Sequence, residues 1–109
     1  MSNGARTDKA DRLILDTRGW KVGVFEGKQT EWTEWSLQST TAIRSSHPPT
    51  YLAMKEAEKH DYDELEDDDK MSAELFNILV GRCRRDAGEI VRSIEERHGL
   101  LAWHKLYER

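Results

Sequence analysis

The sequence predicts an all-α protein, a small bundle of about five helices preceded by an extended N-terminal arm of strand-like pattern. Three observations carry this. Downstream of Thr30, apolar residues recur at three- and four-residue steps in five successive segments. Upstream, in GWKVGVFEG from Gly19 to Gly27, Trp20, Val22 and Val24 fall on one side of an extended chain, and Phe25 breaks the alternation. Finally, 109 residues suit one domain, and four Trp, three Tyr and two Phe can seed its core although 35% of the side chains are charged.

Residues 1–18 read as a flexible lead: MSNGARTDKAD is polar and aperiodic, and Leu13-Ile14-Leu15 is a short apolar patch. The arm spans 19–27. A first helix is expected over about 30–46, with Thr30 as N-cap and Glu31 and Glu34 suiting its positive end. Trp32, Trp35, Ser39 and Ile43 share one face, with Ala42 beside them. Pro48-Pro49 ends this helix, because residues before proline leave helical geometry. A second helix, about 50–59, starts at Thr50 and turns Leu52 or Ala53, with Ala57, to the core.

Between Lys55 and Lys70, nine carboxylates and three lysines give a local charge of −6. The acidic run 61–69 repels itself until it meets a helix N-terminus, where Asp68 or Asp69 serves as cap. The third helix, about 68–83, carries Met71, Leu75, Ile78, Leu79 and Cys83, widened by Phe76 and Val80. So broad a stripe predicts the central element. A fourth helix, about 86–97, presents Ala87, Ile90, Val91 and Ile94 and stops at His98-Gly99. The fifth, about 100–109, carries Trp103, Leu106 and Tyr107 and runs to the last residue without a stop signal, as in a domain cut from something longer.

Chemistry is sparse in this sequence. The acidic run fails as an EF-hand loop: counted from Asp61, Leu65 takes a ligand position, Glu66 replaces the glycine and Ser72 the bidentate glutamate. His47, His60, His98, His104 and Cys83 match no zinc spacing, and Cys83 lacks the base a nucleophile needs. No Gly-rich phosphate cradle is present. The expectation is a non-enzymatic protein without cofactor, metal or small-molecule substrate. The lone cysteine excludes an internal disulfide and suits a reducing, cytoplasmic setting. No run reaches the roughly 18 apolar residues of a membrane span. Arg82, Arg84, Arg85 and Arg92 are candidates for weak RNA contact, but residues 82–109 hold seven bases against five acids, and the net charge of the chain is −4.

The aromatic positions hold the strongest signal. Phe25-Glu26-Gly27 followed by Trp32-x-x-Trp35 resembles the F-x-G…W-x-x-W opening of retrotransposon Gag capsid domains. Gly88-Glu89-Ile90-Val91-Arg92, and then Gly99-Leu100-Leu101-Ala102-Trp103-His104-Lys105-Leu106-Tyr107-Glu108-Arg109, resembles the G-x-x-A-W-x-x-L-x-x-R block of copia-type Gag polypeptides. The resemblance covers about residues 24–109. It implies an all-α, capsid N-terminal-like domain that self-associates into a particle shell, with element RNA held by parts of the polyprotein outside this chain. Phe25, Trp32, Trp35, Trp103 and Leu106 are then structural. Pro48-Pro49 and the acidic run fall outside the family's pattern.

Taken together, Trp20, Val22, Phe25 and Trp32 are the candidate interaction residues. Trp35, Leu75, Leu79, Ile90, Ile94, Trp103 and Leu106 are the expected core. The expected partner is a second copy of the chain. The alternatives are a Gag-derived adaptor that holds a peptide in a helical groove and an accessory RNA-binding module.

Overall fold

The computed structural model describes residues 15, 17, 20–59, 69–94 and 97–108. Most of the expected lead, the acidic run before Asp69 and the Asp68 cap lie outside them. Five helices hold 75% of the described residues and no strand is formed among them, so the fold is all-α. They are α1 (Gln29–Ser46), α2 (Pro48–Ala57), α3 (Asp69–Arg82), α4 (Arg85–Arg92) and α5 (Gly99–Glu108).

Each boundary has a local cause. Gly27 takes φ 108°, open to glycine but strained for other residues, and the chain turns through it into α1. The residue before α1 is Lys28, without a side-chain cap, so Thr30 lies inside the helix rather than capping it. α1 does end ahead of the prolines, at Ser46. Pro48 and Pro49 then occupy the first turn of α2, where a missing N–H costs nothing. His47 caps that turn, its Nδ1 accepting from the Thr50 amide at 3.3 Å, which starts α2 two residues earlier than Thr50 would.

α4 is shorter than its apolar spacing predicts and stops at Arg92 instead of running to 97. The Ser93 hydroxyl donates to the Ile90 carbonyl at 2.7 Å and closes the helix locally. His98-Gly99 is correspondingly the start of α5, not the stop of α4. The His98 ring accepts from the Leu101 amide (3.4 Å), and Ser72 Oγ accepts from the Leu100 amide (3.3 Å) while bonding His98 Nδ1 at 2.9 Å. Because Nδ1 accepts from Leu101, the Ser72 hydroxyl donates to it. Gly99 is required by close packing: a β-carbon there would collide with the Ser72 carbonyl and lie 2.6 Å from the Phe76 amide.

The central element is α5, which packs against α2, α3 and α4, whereas α3 meets α4 and α5. The sequence reading placed α3 at the centre. Along α5, Gly99, Leu100, Ala102, Trp103, His104 and Leu106 are all buried, with small residues letting α3 approach closely. Val80 of α3 is exposed, so that stripe is narrower than expected. Leu52 also faces outward, and Met54 takes the core position on α2. Of the expected core residues, Trp35, Leu75, Leu79, Ile94, Trp103 and Leu106 are buried, and Ile90 is only half-buried at the margin.

Leu15 is buried in this same core, and its amide donates to the buried Glu74 carboxylate at 2.8 Å. The lead assigned to residues 1–18 therefore includes an anchored residue.

Candidate functional site

Residues 20–28 run alongside the bundle without forming a helix. Phe25 straps them to the corner between α3 and α4: its amide donates to the Arg82 carbonyl (2.8 Å) and its carbonyl accepts from the Arg84 amide (2.9 Å). This makes one isolated parallel bridge, Phe25 to Cys83. The alternation of the arm is therefore realised as backbone pairing at one position, and the residue that breaks the alternation is the one that pairs.

Phe25 points its ring into the protein, where two helices add their own. Trp32 and Trp35 stand three residues apart on α1, and Trp103 and Tyr107 four apart on α5, so each pair shares a face. Phe25 stacks on Trp35 with ring centres 5.0 Å apart at 21°. Trp32 lies 5.4 Å from Phe25, 5.8 Å from Trp35 and 5.1 Å from Trp103. Trp35 and Trp103 close the group at 6.1 Å, and Tyr107 meets Trp32 edge-on at 6.5 Å. Offset and tilted geometries of this kind contribute about 0.5–1.5 kcal/mol per pair beyond burial.

The buried members have polar partners. Trp35 Nε1 donates to the Gly23 carbonyl and Trp103 Nε1 to Glu58, both at 2.9 Å. Trp32 is half-buried, and among the described residues nothing accepts from its indole N–H. Its outer edge instead helps to wall a groove of about 210 Å³, with Phe25, Gly27, Gln29, Leu106 and Tyr107. Aromatic and aliphatic side chains share the lining with polar groups, Gln29 and the Tyr107 hydroxyl among the residues present, and Tyr107 stands 46% exposed at its lip. Such a lining suits a group with both apolar and polar surface.

The four candidate interaction residues thus divide. Phe25, 2% exposed, belongs to the core and also walls the groove from within. Trp20, Val22 and Trp32 are half-buried against that core. Trp20 carries the Arg82 guanidinium over its ring at 5.5 Å, an arrangement invisible in the sequence because 62 positions separate the two residues.

The remaining arginines are partly engaged. Arg84 donates to the Val80 and Cys83 carbonyls at 3.2 Å, and Arg85 pairs with Glu26 at 3.4 Å. Arg92 is exposed. Cys83 is fully buried, and loss of solvent around it pushes the thiol up to about 12, against a smaller opposing pull from Arg84. It stays protonated and unreactive at neutral pH.

The sequence reading missed two buried histidines. His98 supports the start of α5 as described. His104 donates from Nδ1 to the Ala57 carbonyl (2.7 Å) and places Nε2 3.2 Å from Glu108, tying α5 to the end of α2. Their spacing carries no metal signature, and a capping role needs the fold to be seen. Among the described residues, no group of three or more His, Cys, Asp or Glu is placed to hold a metal ion. No helix there is long and apolar enough to cross a membrane. No protein-family model, no curated protein and no solved structure matches the chain.

Proposed function

We propose that the chain is a non-enzymatic, self-associating helical domain of the Gag capsid type, a building block of a particle shell. One observation carries the reading. The two stretches that resemble Gag sequences, Phe25 to Trp35 and Ala102 to Leu106, lie about 70 positions apart yet meet in a single aromatic cluster. Positions that a family shares for structural reasons are expected to meet in a core in this way.

The surface supports the same reading. Trp32 and Tyr107 keep apolar edges at a groove, and Val24, Leu37 and Leu52 are exposed. Shell subunits associate through small contacts, individually weak and repeated many times. Contacts of this size assemble only as concentration rises.

Light scattering coupled to size exclusion, over a wide concentration range and at two salt levels, tests the proposal. A mass that climbs with concentration is expected. A constant monomer mass overturns it and turns attention to the groove as a peptide site. The RNA alternative is less well supported, since Arg84 and Arg85 already bond within the chain. It requires an affinity for single-stranded RNA that falls steeply with salt.

A further inference from the structure

Only Cys83 and Arg84 separate α3 from α4, and the local sequence carries little that breaks a helix there. No proline lies between Asp69 and Arg92. The nearest glycine, Gly81, sits inside the last turn of α3 rather than past its end. Arg84 precedes α4 without a side-chain cap. Leu75, Leu79, Cys83, Ala87, Ile90 and Ile94 keep three- and four-residue steps straight through the break, as they would in one helix. Yet Arg85 takes φ 53°, a left-handed conformation that strains any residue with a β-carbon.

The N-terminal arm supplies what the local sequence lacks. In a continuous helix the Arg82 carbonyl would accept from Asp86, the Arg84 amide would donate to Val80 and the Ala87 amide to Cys83. The arm takes all three groups. The Phe25 amide donates to the Arg82 carbonyl (2.8 Å), the Phe25 carbonyl accepts from Arg84 (2.9 Å) and the Glu26 carbonyl from Ala87 (3.4 Å). The two carbonyls left over, Val80 and Cys83, both accept from the Arg84 guanidinium at 3.2 Å. Glu26 also pairs with Arg85, the strained residue, at 3.4 Å.

We propose that Phe25 and Glu26 form a wedge that keeps α3 and α4 apart, and that withdrawal of the arm lets residues 69–92 close into one continuous helix. Withdrawal leaves the Arg84 and Ala87 amides without acceptors, and the Val80 and Cys83 carbonyls are their helical partners. Straightening also relieves the φ of Arg85. Burial of Ala87 and Val91 in the core opposes it, so the wild-type chain rests in the bent form. The corner is thus a two-state element biased by the arm. A partner that takes up the segment from Trp20 to Glu26 turns the corner into a rod and swings α4 off α5. The device does not depend on self-association.

Pulsed electron paramagnetic resonance on the full chain tests the wedge. Nitroxide labels go on Lys70→Cys and Glu89→Cys, both exposed, while the buried Cys83 stays unlabelled. In one straight helix these positions stand about 28 Å apart at 1.5 Å per residue, and in the bent form they are closer, since α3 and α4 pack together. The wild-type chain is expected to show the short distance alone. Phe25→Ala, which loosens the arm, is expected to add a population at the long distance. If Phe25→Ala loses its helical circular dichroism, the double change Trp20→Ala, Val22→Asp at half-buried arm positions takes its place. Arg85→Gly added to the loosened chain is expected to cut the long-distance population about tenfold, because glycine accepts the left-handed φ and disfavours a helix interior. Arg85→Ala loses the same pair with Glu26 and is expected to keep that population. A loosened chain that shows only the short distance, or a long-distance population that Arg85→Gly leaves unchanged, overturns the wedge.

Discussion

Single residues already separate what holds this fold together from what faces outward. Cys83 reports on burial. Its proton is held more tightly in the folded chain than in the unfolded one, so the stabilisation it gives is complete below the ordinary thiol range near 9 and is lost as pH rises toward about 12. The thiol is expected to resist alkylation at pH 8 in the native protein and to react promptly in urea; prompt native reaction would show that the corner beneath Phe25 opens easily. Gly99 reports on close approach. Gly99→Ala drives a methyl group into the α3 backbone at Ser72 and Phe76, which cannot move aside as a flexible side chain would. A loss of about 1–3 kcal/mol in urea unfolding is expected. Trp103, fully buried, contributes ring contacts and the bond to Glu58. Trp103→Phe keeps most of the packing and removes one of two partners of Glu58, which still pairs with Lys55 at 3.1 Å, so about 0.5–1.5 kcal/mol is expected, while Trp103→Ala costs about 3–5 kcal/mol.

At the scale of elements, five helices follow from periodicity, but their ranks do not. A broad apolar stripe marks α3, yet α5 is central because it meets α2, α3 and α4 at once, and which helices surround a ten-residue segment cannot be read from that segment's own spacing. Met54 was missed for a related reason: Leu52 is the more apolar residue, and only the docking angle of α2 decides which faces inward. His98-Gly99 illustrates the ambiguity of glycine, which suits a helix stop and also the tight helix approach found here. The N-terminal segment was underrated because one buried leucine has no period. Leu15, Trp20 and Val22 all pack on the core, and the Leu15 amide bonds Glu74. Removing residues 1–24 is therefore expected to lower stability by several kcal/mol, from about 1.5–3 kcal/mol for each large apolar side chain fully buried. An unchanged urea midpoint would show that the segment rests on the core without supporting it.

The whole molecule joins a bundle centred on α5 to an aromatic cluster fed by three separate parts of the chain. The sequence made Trp35 and Trp103 legible as large residues on helical stripes, but not the meeting of Phe25, Trp32, Trp103 and Tyr107, which depends on how α1 and α5 are brought together. The groove was illegible for the same reason: Gly27 and Gln29 line it only because Leu106 and Tyr107 arrive opposite them. Self-association is the claim on which the functional account turns, and the mass of the wild-type chain in solution tests it most directly. Measured by light scattering from micromolar to millimolar concentration, the mass is expected to rise continuously above the 12.7 kDa of one chain. A value fixed at one chain across that range, at both low and high salt, would contradict the account.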